Sequence, residues 1–109
     1  MDLNLVVLCG RLAAPPEHRT FDSGMSQVRL LVAVTSDTPH RRLDLIRVTC
    51  WDPKDDLVDG SLISGMRVWV SGRLQRLLRH EAEDSEVRSG LEVVATSVSH
   101  REVLVDTET

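Results

Sequence analysis

Aromatic rings are scarce in this chain of 109 residues: it has no tyrosine, one phenylalanine (Phe21) and two tryptophans, Trp51 and Trp69. A surface that works by stacking rings on a planar ligand has only these to draw on. Cysteine is equally rare. Cys9 and Cys50 are too few for the disulfide framework of a small secreted domain, and with apolar strand neighbours both are expected to be inert core thiols. No apolar run approaches the ~20 residues needed to cross a bilayer, so no membrane partner is expected. Asp2 near the N-terminus, with no basic region ahead of a hydrophobic one, argues against a signal peptide. Signatures of chemistry are missing as well. His18, His40, His80 and His100 have no ligand-like spacing, and there is no Cys-x-x-Cys, His-Glu-x-x-His, P-loop or Gly-x-Ser-x-Gly. The expectation is a protein with no catalytic residue, no metal site, no cofactor and no small-molecule substrate.

The hydrophobic fraction, 41%, is ordinary for a globular protein, and the length suits one domain with one core. The net charge is −4, but the charges are segregated. Acids gather at Asp52, Asp55, Asp56 and Asp59 and again at Glu81, Glu83, Asp84 and Glu86, with most arginines elsewhere. A local basic face is therefore compatible with an acidic chain.

Periodicity divides the chain into strands. Leu3 to Leu12 is apolar and β-rich, and Pro15 and Pro16 stop it. "FDSGMS" is a turn cluster, Gln27 to Thr35 a second strand, and "SDTPHRR" a polar connection. Leu45 to Trp51 alternates, with Leu45, Arg47, Thr49 and Trp51 on one face and Ile46, Val48 and Cys50 on the other. "PKDDLVDGSLI" suggests a short helix, with Leu57, Leu62 and Ile63 near helical spacing and Gly60 weakening it. "VWVSGRLQRLLRH" at 68–80 is ambiguous. Val68, Val70, Gly72 and Leu74 alternate as in a strand, whereas Leu74, Leu77 and Leu78 have helical spacing. "EAEDSEVRSG" reads as a polar loop, and Leu91 to Val98 as the last strand. Three strands, a short helix between the third and fourth, then two more strands is the order of an all-β OB-fold, a five-stranded Greek-key barrel. A small β-sandwich is the alternative.

Three motifs sharpen that reading. Gly10, Arg11 and Leu12, then Pro16, Glu17 and Arg19, then Ser23 and Gly24 form one. Arg47 and Trp51 in "LIRVTCW" form the second, and Ser61, Leu62, Gly65, Arg67, Val68, Val70, Gly72, Arg73 and Leu74 the third. In this order, over residues 3 to about 98, the chain resembles the bacterial single-stranded DNA-binding proteins. The resemblance implies an OB-fold domain over 1–101 with a short tail, 102–109, and it resolves Val68 to Leu77 as a strand entering a long hairpin. It further implies a partner, single-stranded DNA, bound without strong sequence preference in replication, recombination or repair. A cytoplasmic, nucleoid-associated homo-oligomer, dimer or tetramer, is implied too, with the first strand around Asn4 to Leu8 as its interface.

Departures from the family bear on the site. Its ring near the start of the third strand is replaced by Leu45, the one after the basic run of the fourth strand by Arg79, and the one after Pro-Glu-x-Arg by Thr20, beside Phe21. Only Trp51 matches a stacking position directly. The expected DNA contacts are Trp51, stacking on bases, and Arg47, Arg73, Arg76 and Arg79, tracking phosphates. A guanidinium can itself stack on a base. Trp69 is expected to pack at a barrel rim or subunit contact, and Arg19 to hold its loop by pairing with Glu17 or a neighbour. The acidic loop Glu81 to Glu86 could pair with the hairpin arginines. The family's usual acidic C-terminal tip is not in the sequence, which stops at "VDTET", so recruitment of other proteins through such a tip is either absent or belongs to residues outside this sequence. The competing reading is a divergent OB-fold protein-interaction module with little DNA affinity, which the net charge and the three missing rings favour.

Overall fold

Buried and exposed residues alternate along most of the extended segments, and that alternation sets the architecture. The computed structural model describes residues 1–53, 55–58, 60–80 and 87–100. Its elements are β1 (Val6–Leu12), β2 (Glu17–Thr20), β3 (Ser26–Ser36), β4 (Arg42–Trp51), the helical turn α1 (Asp55–Val58), β5 (Arg67–His80) and β6 (Val87–His100). The sheet runs β1-β5-β6-β4-β3-β2, and β1 also pairs with β3, so five strands close into a ring. Closure is brief, with Arg11 opposite Ala33 and Leu12 opposite Val32. The β4–β6 pair is parallel and the other pairs antiparallel. This closed five-stranded barrel is an OB-fold.

Valine fills it. Val28, Val32, Val48, Val68, Val70 and Val93 are all exposed by 2% or less, together with Leu12. β-Branched side chains suit the pleated surface, and each burial is worth about 1.5–3 kcal/mol before the chain-ordering cost. Leu57 of α1 and Leu62 join the same core, while Ile63 points outward. Two glycines let backbones meet: a Cβ at Gly10 would overlap the carbonyl oxygen of Ala33, and one at Gly72 that of Val94. Beside Gly72, a bulge in β6 leaves Thr96 as the extra residue, and its hydroxyl donates to the Ser71 carbonyl at 3.1 Å.

Several boundaries differ from those expected. Residues 3–5 are not strand. Instead the Asn4 side chain takes over the ladder: its Nδ2 donates to the Leu74 carbonyl at 2.7 Å, and its Oδ1 accepts from the Leu74 amide at 2.8 Å. β2 is an unexpected strand lying outside the ring on the edge of β3, with Glu17 opposite Arg29 and Thr20 opposite Ser26. The pattern conceals it because all four of its residues are exposed. β4 starts at Arg42, and β6 includes residues 87–90 of the segment expected to be loop. Cys9 is not a core thiol. It lies on the outer face of β1 between inward-facing Leu8 and Gly10, where Arg67 Nη1 donates to its Sγ at 3.6 Å. Cys50 is buried as expected, and that burial pushes its thiol pKa up.

Candidate nucleic-acid interface

The outer face of β3 and β4 carries Trp51 at one end. Asp52 pins the strand there: its amide donates to the Ser26 carbonyl at 2.9 Å, and its Oδ1 accepts from the Ser26 amide at 3.2 Å. Asp52 has a φ of 46°, a left-handed conformation that aspartate tolerates better than most residues. Trp51 is thereby held 43% exposed at the end of its strand. Phe21 is brought against it by a turn in which the Phe21 amide donates to Met25 and Gly24, at φ 91°, donates back to Phe21. The two rings are 5.7 Å apart at a 33° tilt. Arg19 reaches back from β2 and places its guanidinium carbon 5.3 Å from the centre of the Phe21 ring. The neighbour that Arg19 meets in holding its loop is thus the Phe21 ring. A cation–π contact at an exposed site adds ~0.5–1 kcal/mol.

Four residues before Trp51, roughly 13 Å along the strand, Arg47 stands opposite Leu31, and Thr49 between them is opposite Arg29. Thr49 is buried on this face and donates from Oγ1 to Glu92 Oε1 at 2.7 Å. The parallel β4–β6 register creates that bond by setting Thr49 beside Val94. Across β6, Glu92 is opposite Gln75 and Val94 opposite Arg73, so Arg73 shares the outer face with Arg47 and Arg29. A cleft of about 250 Å³ lies here, lined by Pro15, Glu17, Arg29, Arg47, Thr49 and Glu92 among others. Leu45, where the family pattern has a ring, is exposed on β4.

Arg76 lies elsewhere. Three residues from Arg73 on a strand, it falls on the opposite face, next to Leu91 and in line with Leu74. There a second, more apolar cavity of about 440 Å³ opens between Val6, Leu8, Ile46, Leu74, Leu91 and Val93. The backbone of Arg79 pairs with that of Arg88, and its side chain lies outside the described part of the structure. So do the acidic segment 81–86 and the tail 102–109. Trp69 is 37% exposed on the outer face of β5, opposite Cys9 and Ser99. Arg11 donates from Nη1 to the Gly65 carbonyl at 3.2 Å, and Arg42 pairs with Asp44 at 2.9 Å, so both have structural partners.

Phe21, Arg29, Thr49 and Glu92 are not among the site residues expected from the sequence, although Thr49 falls on the strand face of Arg47 and Trp51. Phe21 was signalled by its place beside Pro-Glu-x-Arg. Arg29 and Thr49 were signalled by alternation, once β3 and β4 are paired. Glu92 carries no local signal, since its partners come from another strand.

Comparison with known proteins agrees with this fold. The model of the Single-strand binding protein family matches residues 3–101. A Single-stranded DNA-binding protein 1 of Staphylococcus aureus (strain COL) is 36% identical over 104 residues, covering 92% of this chain and 62% of that protein. A Single-stranded DNA-binding protein of Bifidobacterium longum (strain NCC 2705) is 31% identical over 97 residues, covering 82% of this chain and 44% of the relative. The chain thus spans between two fifths and two thirds of their lengths. The structure described as Plasmodium falciparum SSB complex with ssDNA superposes with a TM-score of 0.79 at 21% identity, covering 94% of this chain and 97% of the other.

Proposed function

Since the chain belongs to the single-strand binding protein family, we propose that it binds single-stranded DNA through the outer face of β3 and β4. The observation that carries this is the Arg19–Phe21–Trp51 stack standing on the same strand face as Arg47. A ring platform in line with a guanidinium supplies the two ingredients of sequence-tolerant binding, base stacking and phosphate neutralisation. Trp51 takes a base, while Arg47 and Arg73 track the phosphates on the outer face. Arg76, from the opposite face of β5, and Arg79 add phosphate contacts along the hairpin beyond that face. The role is to hold the strand in replication, recombination or repair, without chemistry and without strong sequence preference. The binding unit is residues 1–101, with 102–109 as a tail, and it works in the cytoplasm at the nucleoid.

Assembly into a homo-oligomer, dimer or tetramer, through β1 belongs to the same proposal. Among the described residues, one edge of Val6–Gly10 is paired with β5 while the other has no strand beside it. Leu3, Leu5 and Val7 are exposed there, and an exposed apolar edge strand invites pairing with a second copy.

A fluorescence titration with oligo-dT at low and moderate salt tests the binding proposal. Trp51 emission should be quenched, and affinity should fall with salt in proportion to the phosphates neutralised. Absence of quenching and of binding at low salt would put the protein-interaction reading ahead.

A further inference from the structure

Glu92 is an anomaly on a surface meant for a polyanion. It stands with Glu17 in the same cleft as Arg29 and Arg47. Two carboxylates beside two guanidiniums bring the formal charge of the cleft to zero, so a phosphate gains less at Arg47 than at Arg73, and each carboxylate repels it. A neutral base suffers no such penalty. At about 250 Å³ the cleft is below the range of pockets for drug-sized ligands, ~300–1,000 Å³, and suits a single ring system. Leu31 and Pro15 contribute apolar wall, and Glu92 and Arg47 also line the apolar cavity beside it, so the pair stands where the two clefts meet.

The carboxylate is also held in place. The buried Thr49 hydroxyl donates to Oε1 at 2.7 Å, which occupies one of the roughly four acceptor positions of a carboxylate whose residue lines the cleft. A fixed acceptor pair discriminates among bases by their Watson–Crick edges. Guanine presents two adjacent donors, N1–H and the N2 amino group, and can meet both carboxylate oxygens at once. Adenine and cytosine each offer an amino group beside a ring acceptor. Thymine offers one N–H between two carbonyl oxygens that the carboxylate would repel.

We propose that Glu92, positioned by Thr49, makes this cleft a guanine-preferring subsite within an otherwise sequence-tolerant strand path; this rests on the single-stranded DNA reading above. The preference should be modest, roughly tenfold for one well-placed guanine, the lower part of what a bidentate contact gives. Guanine is the base that engages both carboxylate oxygens, whereas for thymine the carboxylate is a hindrance.

The test compares a dT oligonucleotide of about sixteen residues with the same strand carrying one central guanine, or inosine in its place. Wild-type protein should bind the guanine strand roughly tenfold more tightly than dT, and inosine, which lacks the N2 amino group, should lose most of that gain. Glu92→Gln, with native folding verified by its melting curve, should bind dT more tightly and lose the guanine preference. Glu17→Gln removes the same charge from the cleft wall and should raise affinity for both strands while keeping the ratio. The proposal is overturned if wild-type protein binds dT but treats guanine, inosine and thymine alike, or if the ratio survives in Glu92→Gln. It is equally overturned if Glu17→Gln abolishes the ratio. Failure of wild-type protein to bind any of the strands would instead remove the single-strand reading, and this one with it.

Discussion

The rings of Trp51 and Phe21 lie 5.7 Å apart, although one ends β4 and the other sits in the turn between β2 and β3. Neither ring is positioned by the other alone. Trp51 is set by the Asp52–Ser26 bonds, and Phe21 by the Met25–Gly24 turn. A chain with three rings has thus brought two of them together on one face.

Trp51→Ala and the double change Arg76→Ala/Arg79→Ala should therefore fail in different ways. Loss of Trp51 removes stacking, and affinity for oligo-dT should drop roughly tenfold or more with little change in salt slope. Loss of both arginines should weaken binding and flatten the slope by up to about two, since about one counterion is released per phosphate neutralised. Titrations at several salt concentrations separate the two. An unchanged slope and affinity in the double variant would confine the phosphate track to the outer face that Arg47 and Arg73 share.

Barrel closure gives a stability prediction. Gly10→Ala would drive a methyl into the Ala33 carbonyl, with Val32 Cγ1 2.9 Å away, and backbone cannot yield as a side-chain tip can. Chemical denaturation should show a loss of about 2 kcal/mol or more, in the upper part of the range for overpacking. Gly90→Ala meets nothing within 4 Å and should stay within about 0.5 kcal/mol of the parent. Equal effects at the two positions would contradict the close approach of β1 and β3.

The two thiols should behave oppositely. Cys9 is exposed and should react with a disulfide reagent in the folded protein, whereas Cys50 should react only on unfolding. Burial raises the Cys50 pKa, so above the ordinary thiol range, about pH 8.5, the folded state retains a proton that the unfolded state gives up. More protons bound in the folded state means that stability falls as pH rises through this window. Denaturation curves across it should show that decline, and Cys50→Ala should remove its share.

Oligomerisation through β1 predicts a sedimentation mass above the 12.2 kDa monomer. Val7→Lys, at a residue 68% exposed on the outer face of β1, should lower that mass without unfolding the chain. A clean monomer at high micromolar concentration for the wild-type protein would refute the β1 interface.

Period-two alternation by itself determined most of the strands and the outward direction of Arg47 and Trp51, because one-sided burial imposes that spacing locally. It also determined that Arg73 and Arg76, three apart, part company once the segment is a strand. It was silent where neighbours are alike. Val6, Val7, Leu8 and Cys9 are all apolar, so nothing local says which of them face inward, and only packing against β5 and β3 turned Cys9 to the surface. β2 was hidden for the converse reason, as a strand exposed on both faces has no hydrophobic rhythm to read. The meeting of Glu92 with Thr49, 43 residues away in sequence, depends on the parallel pairing of β4 with β6. Such a contact exists only when the ring closes, because register between distant strands is chosen by the whole core and not by either segment.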